Sequence, residues 1–470
     1  MHKIVLLYLL FSTQIYGQAK LENLLEELPN DSNVTHSISN HSAIYPKLTS
    51  CNESNSIKVN ALFDGLLNTV GMDQYRIGGG VSLNGYFNNK WHLKLGNSLI
   101  FHAADSLFQP KSFFSQNLAN ANISNDFRGR LSFTPNSMFN FQVGLDHNFI
   151  GEGSRSLFLS DYGKPYPFGQ IRLKFWRLEY SVLYQFFREK IASNQWLQKN
   201  AASHYLSFNA TKWLNFGLFE TVVFQPKDTL LNRGFELEYL NPVIFYRPQE
   251  YALGSADNVL LGLSCSAKFK KNTIYSQLII DEFLLKEIIS NSGWWGNKYG
   301  FQIGIKGRFA KKSTRFFYRT EFNFVRPYTY AHIGIGQNYG NQGNVLAHPY
   351  GANFKELLVE FKFQRKRLLI KTFFNYSLKG MDTSIQKSYG GNIYASYVNR
   401  PYEYGNFVGQ GAQYEQIKVM LTFAYNIHKQ SNLQVFSETS FTQSFQFPQF
   451  NQFYLLVGFR NQLWNDYRNY

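Results

Sequence analysis

Cysteine is nearly absent from this 470-residue chain, and the two present, Cys51 and Cys265, stand far apart. They supply no disulfide framework and no Cys-x-x-Cys metal or redox pair. One bridge between them stays open, and two ordinary thiols is the simpler expectation. Proline is scarce at 13 residues, so long strands run without interruption. Acidic residues are outnumbered, with 31 Asp and Glu against 47 Lys and Arg and a net charge of +16. No clustered basic face or known module accompanies that excess, so nucleic acid is not an expected partner. Solvated turns and loops account for it, as would contact with anionic lipid heads or acidic polysaccharide. Long hydrophobic runs are also missing: after residue 17 no stretch of about eighteen apolar residues occurs, so no spanning helix is expected.

The one compact apolar run opens the chain. Met1-His2-Lys3 is basic, Ile4 to Phe11 is apolar, and Ser12 to Gln18 is small or polar. That order reads as a secretory signal peptide over residues 1–17, with cleavage after Gly17 or Ala19. Residues 18–56 read as a short periplasmic helix and a linker. Leu21, Leu24, Leu25 and Leu28 share one helical face, Pro29 ends it, and an Asn/Ser-rich stretch follows. An exported chain with no spanning helix is periplasmic, secreted, or a barrel.

Aromatics are what the chain has in abundance: 45 Phe, 31 Tyr and 7 Trp, or 18%. Such residues suit pleated, half-buried surfaces and membrane–water interfaces. Their spacing from residue 57 to 470 has period two. Phe139, Phe141, Val143 and Leu145 alternate with Asn140, Gln142, Gly144 and Asp146. Phe316, Tyr318, Phe322 and Phe324 alternate with Arg319, Glu321 and Asn323, and Leu357, Val359, Phe361 and Phe363 with Glu356, Glu360, Lys362 and Gln364. Strict alternation puts one row on each sheet face. Segments of about ten residues match a tilted strand crossing a bilayer, and lipid tolerates strands only in a closed ring.

Turn spacing gives the count. Short turns fall near 87–89, 135–138, 176–178, 210–214, 269–273, 309–314, 364–367 and 427–432. Long links fall near 102–126, 150–168, 189–202, 226–256, 284–297, 326–352, 378–413 and 444–452. Short periplasmic turns and long outer loops are the habit of outer-membrane barrels. The hairpins, a last strand from Phe453 to Trp464 and a first strand from Ile57 to Leu67 make about eighteen strands, within a range of 16–20. The expected fold class is therefore all-β: a single closed antiparallel transmembrane β-barrel over residues 57–470, in the outer membrane, reached through the general secretion pathway. The aromatic end, with Trp464, Tyr467 and Tyr470, reads as a signal for the barrel assembly machinery.

Several loop stretches are particular. They are Asp146 to Asp161, Leu237 to Pro248 followed by Glu250, Gly293 to Lys298, Val325 to Tyr330, and Leu346 to Phe354. In this order they resemble the Wzi-type capsule-assembly barrels, and more narrowly the RemB-like gliding-motility branch found in Bacteroidetes. The resemblance spans roughly residues 75 to 470 and departs at Ser154, where the family has an aromatic. It implies an outer-membrane barrel with a surface role in holding capsular polysaccharide or in gliding, and no catalysis.

The residues themselves leave two readings. Arg155, Arg247 and Arg326 carry guanidinium forks suited to acidic groups, and Tyr246, Trp294, Trp295, Tyr328 and Tyr330 carry flat faces suited to sugar rings. With Asp161, Glu250, His348 and Asn353 they form either a glycan site or a plug that fills the lumen. No cofactor or metal ligand set is expected. Gly78-Gly79-Gly80 lies within a strand and reads as tight packing rather than a phosphate loop. No Gly-x-Ser-x-Gly elbow occurs, although distant strands could still assemble a hydrolase. A diffusion channel is the other rival, and the partners expected in either case are lipid and lipopolysaccharide. A purely protein-holding component of an envelope machine is a further possibility.

Overall fold

A computed structural model describes residues 55–70, 75–102, 123–192, 195–226, 257–384, 386–428 and 433–461. The expected signal peptide, the Leu21–Leu28 helix, Cys51, Tyr246, Arg247, Glu250 and the end of the chain after residue 461 lie outside them.

The alternating segments form strands β1 (Ser56–Asn68), β2 (Tyr75–Phe87), β3 (Trp91–His102), β4 (Ile123–Phe133), β5 (Phe139–Asp146), β6 (Tyr166–Phe175), β7 (Leu178–Ala192), β8 (Gln195–Asn209), β9 (Leu214–Phe224) and β10 (Asn258–Phe269). They continue as β11 (Asn272–Glu282), β12 (Lys298–Lys311), β13 (Thr314–Val325), β16 (Phe354–Arg365), β17 (Leu368–Met381), β18 (Ala412–His428), β19 (Leu433–Ser444) and β20 (Gln452–Arg460). A small hairpin of β14 (Gly340–Asn341) and β15 (Asn344–Val345) sits in the loop between β13 and β16. One short helix, α1 (Leu285–Ile289), follows β11. The main sheet has 18 strands, each antiparallel to its neighbours, and β1 pairs with both β2 and β20, which closes the ring. The short turns expected from the sequence fall at one end, which is the periplasmic end by the usual habit, while the close β7–β8 connection lies at the other.

The two faces are inverted relative to a soluble protein. In β5, Phe141 and Val143 are 39% and 56% exposed, while Asn140 and Gln142 are 0% and 1% exposed. The same holds in β13, where Arg319, Glu321 and Asn323 are buried inside. At the short-turn end, rings pair across neighbouring strands: Trp91 on Phe133 at 4.3 Å, Trp213 by Phe269 at 5.6 Å, and Phe316 on Phe361 at 6.0 Å. Such a belt suits the lipid–water boundary.

Gly80 shows why small residues sit in β2: a Cβ there would lie 2.0 Å from the Asn97 carbonyl oxygen of β3. One connection differs from expectation. Instead of a long link over 189–202, β7 and β8 stay paired to Ala192 opposite Gln195. The charges that read as loop there face inward and meet each other, with Lys199 Nζ 3.1 Å from Glu189.

Candidate functional site

The loop between β5 and β6 turns into the barrel. Its apolar residues Phe149, Ile150, Leu157, Phe158 and Leu159 are buried in a cluster with wall residues Leu183, Phe219, Leu260 and Ile279. Phe158 stacks on Phe219 at 4.8 Å. The polar backbone of this loop is matched by the wall's polar row. Glu321 accepts from the Ser154 N–H at 2.8 Å and the Arg155 N–H at 3.2 Å, and also from Tyr275 Oη and Asn323 Nδ2. Consecutive N–H groups make a natural cradle for a carboxylate. Gly153 permits the approach, since a Cβ there would meet a Glu321 oxygen at 2.4 Å. Gln277 holds the Leu157 N–H at 2.8 Å, and Lys306 pairs with Glu152 at 2.9 Å.

The loop between β13 and β16 packs over the first. Tyr330, fully buried, donates to the Leu157 carbonyl at 2.8 Å, and its own N–H reaches Asp281 at 2.8 Å. Tyr328 donates to the Ser388 carbonyl at 3.0 Å, and Gly390, with φ +79°, leaves no room for a Cβ against the Tyr328 nitrogen. His348 lies 2.8 Å from Glu356 through Nε2, while its Nδ1 accepts from the Tyr350 N–H at 3.1 Å. That geometry fixes the neutral ring with its proton on Nε2. Burial pushes His348 below the ordinary histidine value, outweighing the pull of Glu356. The Arg155 guanidinium lies 3.7 Å from the same Glu356 carboxylate. Asn353, at φ +59°, ties together the Gly380, Tyr389 and Gln410 carbonyls and accepts from the Gly409 N–H at 2.8 Å.

The third loop, between β17 and β18, reaches the outer surface. Backbone bonds lace it to the segment after α1: Trp295 N–H to the Glu403 carbonyl, Gly405 N–H to Ser292, and Asn406 N–H to Gly293. Arg326 locks this junction by donating to the Asn297 carbonyl at 2.8 Å and, more weakly, to Trp294 and Asn406. Half-buried Trp295 lies under the Arg400 guanidinium at 4.1 Å and beside the Tyr397 ring at 4.8 Å. Trp294 is 6.0 Å away. Tyr402, Tyr404 and Phe407 stand 57%, 57% and 63% exposed on the same segment. The result is an aromatic shelf on a hydrogen-bonded frame.

The residues singled out in the sequence thus fall into two groups. Arg155, Asp161, Tyr328, Tyr330, His348 and Asn353 are buried within the inward loops. Trp294, Trp295 and Arg326 belong to the outer junction. Sequence reasoning missed Tyr397, Arg400, Tyr402, Tyr404 and Phe407 of the shelf, and Glu321 as a loop anchor. A repeated signal was available: Arg326-Pro327-Tyr328 recurs as Arg400-Pro401-Tyr402. Among the described residues, no group of three or more His, Cys, Asp or Glu has metal-ligand spacing, and Cys265 is a free thiol.

This is an outer-membrane type of β-barrel whose outer loops enter the lumen. Its fold is similar to that of Wzi, an outer-membrane protein involved in group 1 capsule assembly in Escherichia coli and described as a carbohydrate-binding β-barrel. The TM-score is 0.57 at 12% identity, over 86% of this chain and 84% of Wzi. Pseudomonas aeruginosa OprD aligns with a TM-score of 0.44 at 10% identity, over 86% and 94% of the two chains. Acinetobacter baumannii OccAB2 gives 0.46 at 8%, over 86% and 97%. No family model and no curated protein matches.

Proposed function

We propose that this protein is a non-enzymatic outer-membrane barrel that binds extracellular polysaccharide on its outer face, in the capsule-anchoring or adhesion and gliding role that the motif resemblance implies. The observation that carries this reading is the shelf of Trp295, Arg400, Tyr397 and the exposed Tyr402, Tyr404 and Phe407. Sugars present apolar ring faces and polar edges, and an aromatic plane beside a guanidinium offers both contacts, with the charge favouring acidic glycans. The fold likeness to a carbohydrate-binding barrel agrees with it. The inward loops supply rigid support, since a large barrel without such filling would be a pore. A diffusion channel is the weaker reading, because the first two loops pack inside the barrel against the wall from β6 to β16.

The test has two parts. Purified barrel is titrated with acidic and neutral capsular polysaccharides, and cells lacking the protein are scored for capsule retention, adhesion and spreading. Saturable binding weakened about tenfold in Trp295→Ala, together with loss of one of those surface traits in the deletion, is the expected result. Unchanged traits in the deletion, together with large conductance in planar bilayers, would overturn it in favour of a channel.

A further inference from the structure

The lumen wall near the short-turn end carries a charge arrangement that the inward loops do not use. Lys362 of β16 and Lys371 of β17 stand directly opposite each other in register. Both belong to the lumenal rows, Lys371 in line with Leu369 and Asn375, whose side chains pack and bond inside the barrel. Like charges facing across a strand pair repel, so a structure keeps them only where opposite charge compensates.

Lys362 has its compensation. Its ammonium is 3.2 Å from Glu360 and 4.9 Å from the centre of the Phe317 ring. Arg319 shares both partners, at 3.2 Å from Glu360 and 5.2 Å from the ring. Lys371 makes no hydrogen bond or ion pair among the described residues; the charges acting on it are Arg460, Lys362, Glu438 and Glu360. Glu360 already lies between two cations, and Glu438 accepts from Thr422 Oγ1 at 2.9 Å. Lys371, Lys362, Arg319 and Arg460 thus outnumber Glu360 and Glu438 along this stretch of wall. Beside them is an apolar floor of Leu66, Leu369, Ala424, Phe436 and Leu456, with Arg460 lying over the Phe436 ring at 4.2 Å.

We propose that Lys371, with Lys362 and Arg460, forms an anion site on the periplasmic part of the lumen wall, taking a carboxylate or phosphate group of a ligand whose apolar body rests on the Leu369–Phe436 floor. Charge-assisted contacts to such groups are strong where water is partly excluded. The site faces the side opposite the aromatic shelf and does not depend on the shelf's function. Its chemistry fits two sources, a free small anion and the acidic unit of a saccharide.

Full-length protein folded in detergent, with folding checked by heat-modifiable migration, is titrated at low salt with inorganic phosphate and with trigalacturonate. Saturable binding is expected for at least one probe, weakened about tenfold or more by Lys371→Gln, as befits loss of a charged contact. Phosphate binding alone identifies a free anion as the ligand, and trigalacturonate binding weakened by Lys371→Gln identifies a saccharide acid. Should Lys371→Gln fail to fold, amine acetylation of the wild-type protein, read by mass spectrometry, replaces it, with Lys371 protected by the bound probe. Absence of saturable binding, or binding indifferent to Lys371→Gln, would overturn the proposal.

Discussion

Glu321, on the wall of the barrel, accepts the backbone N–H of Ser154, on the loop between β5 and β6, at 2.8 Å. The bond joins positions 167 residues apart and is one of several that convert an outer loop into lumen filling. Removing its acceptor strands two backbone donors, Ser154 and Arg155, and the Tyr275 hydroxyl in a buried site. Glu321→Ala should therefore lower stability by about 3 kcal/mol, within the usual range for breaking a buried charged network. The same variant should raise bilayer conductance as the loop loosens. A variant with unchanged melting and unchanged conductance would show that the loop is held elsewhere.

Asn353 makes a second, independent clasp. It sits at φ +59° in the left-handed region that Asn tolerates, and it binds backbone of the β17–β18 loop and β17 through both ends of its amide. Asn353→Ala keeps the strained backbone and loses every bond, so about 2–4 kcal/mol of destabilisation is expected. Asn353→Asp keeps the acceptor for Gly409 but turns a donor towards three carbonyls into a charge, and should be worse than Ala. Hydrogen exchange at residues 389–410 would show the loss locally, and protection equal to wild type in both variants would refute the clasp.

The barrel was legible in the sequence because alternation is a local signal that every strand repeats. Phe139 to Asp146 shows it within eight residues. The first segment, Ile57 to Leu67, carries a fainter alternation, yet it forms β1, the strand that closes the ring. The link near 189–202 misled because Glu189, Lys190, Lys199 and Asn200 look like a solvated loop, whereas Glu189 and Lys199 lie on an inward row. The direction of the loops was not legible. Whether Arg155 points out to a glycan or lies under Glu356 depends on partners far away along the chain, and no periodicity encodes that. The shelf was half legible: Trp294-Trp295 stood out, but its other half comes from residues 397–407.

The Trp295–Arg400 stack makes a prediction that separates ring from charge. Arg400→Lys keeps the charge and loses the flat guanidinium, while Trp295→Ala removes the plane on which it lies. Affinity for acidic polysaccharide should fall about tenfold in Trp295→Ala and by a smaller factor in Arg400→Lys, in line with aromatic and cation–π contacts of about 0.5–2 kcal/mol. The strands should melt close to wild type in both, since the ring and guanidinium contacts of Trp295 and Arg400 are with each other and with loop residues Tyr328 and Tyr397. Equal affinity in all three proteins, measured by titration at fixed salt, would remove the shelf from the binding surface.

Acidity should loosen the inward loops before it unfolds the barrel. Burial, its largest cause, holds His348 below the ordinary histidine value of 6.5, and His147 and His332 are lowered for the same first reason. In the unfolded chain these rings take up a proton near pH 6.5, whereas in the folded protein they resist it. Between the two values the unfolded state binds more protons, so stability rises with pH. The contribution is complete above about pH 7 and is lost as pH falls through 6.5 towards the lower folded values. For His348 the groups that face the ring are Glu356, Arg155 and Glu321; protonation would place a cation beside Arg155 and end acceptance of the Tyr350 N–H by Nδ1. Tryptophan fluorescence and hydrogen exchange of residues 147–165 and 326–353, followed from pH 8 to 5, should show opening that begins below about pH 6.5. His348→Asn should flatten that profile at the cost of lower stability at pH 8. A profile that steepens towards alkaline pH, or one untouched by the substitution, would contradict the neutral-ring assignment.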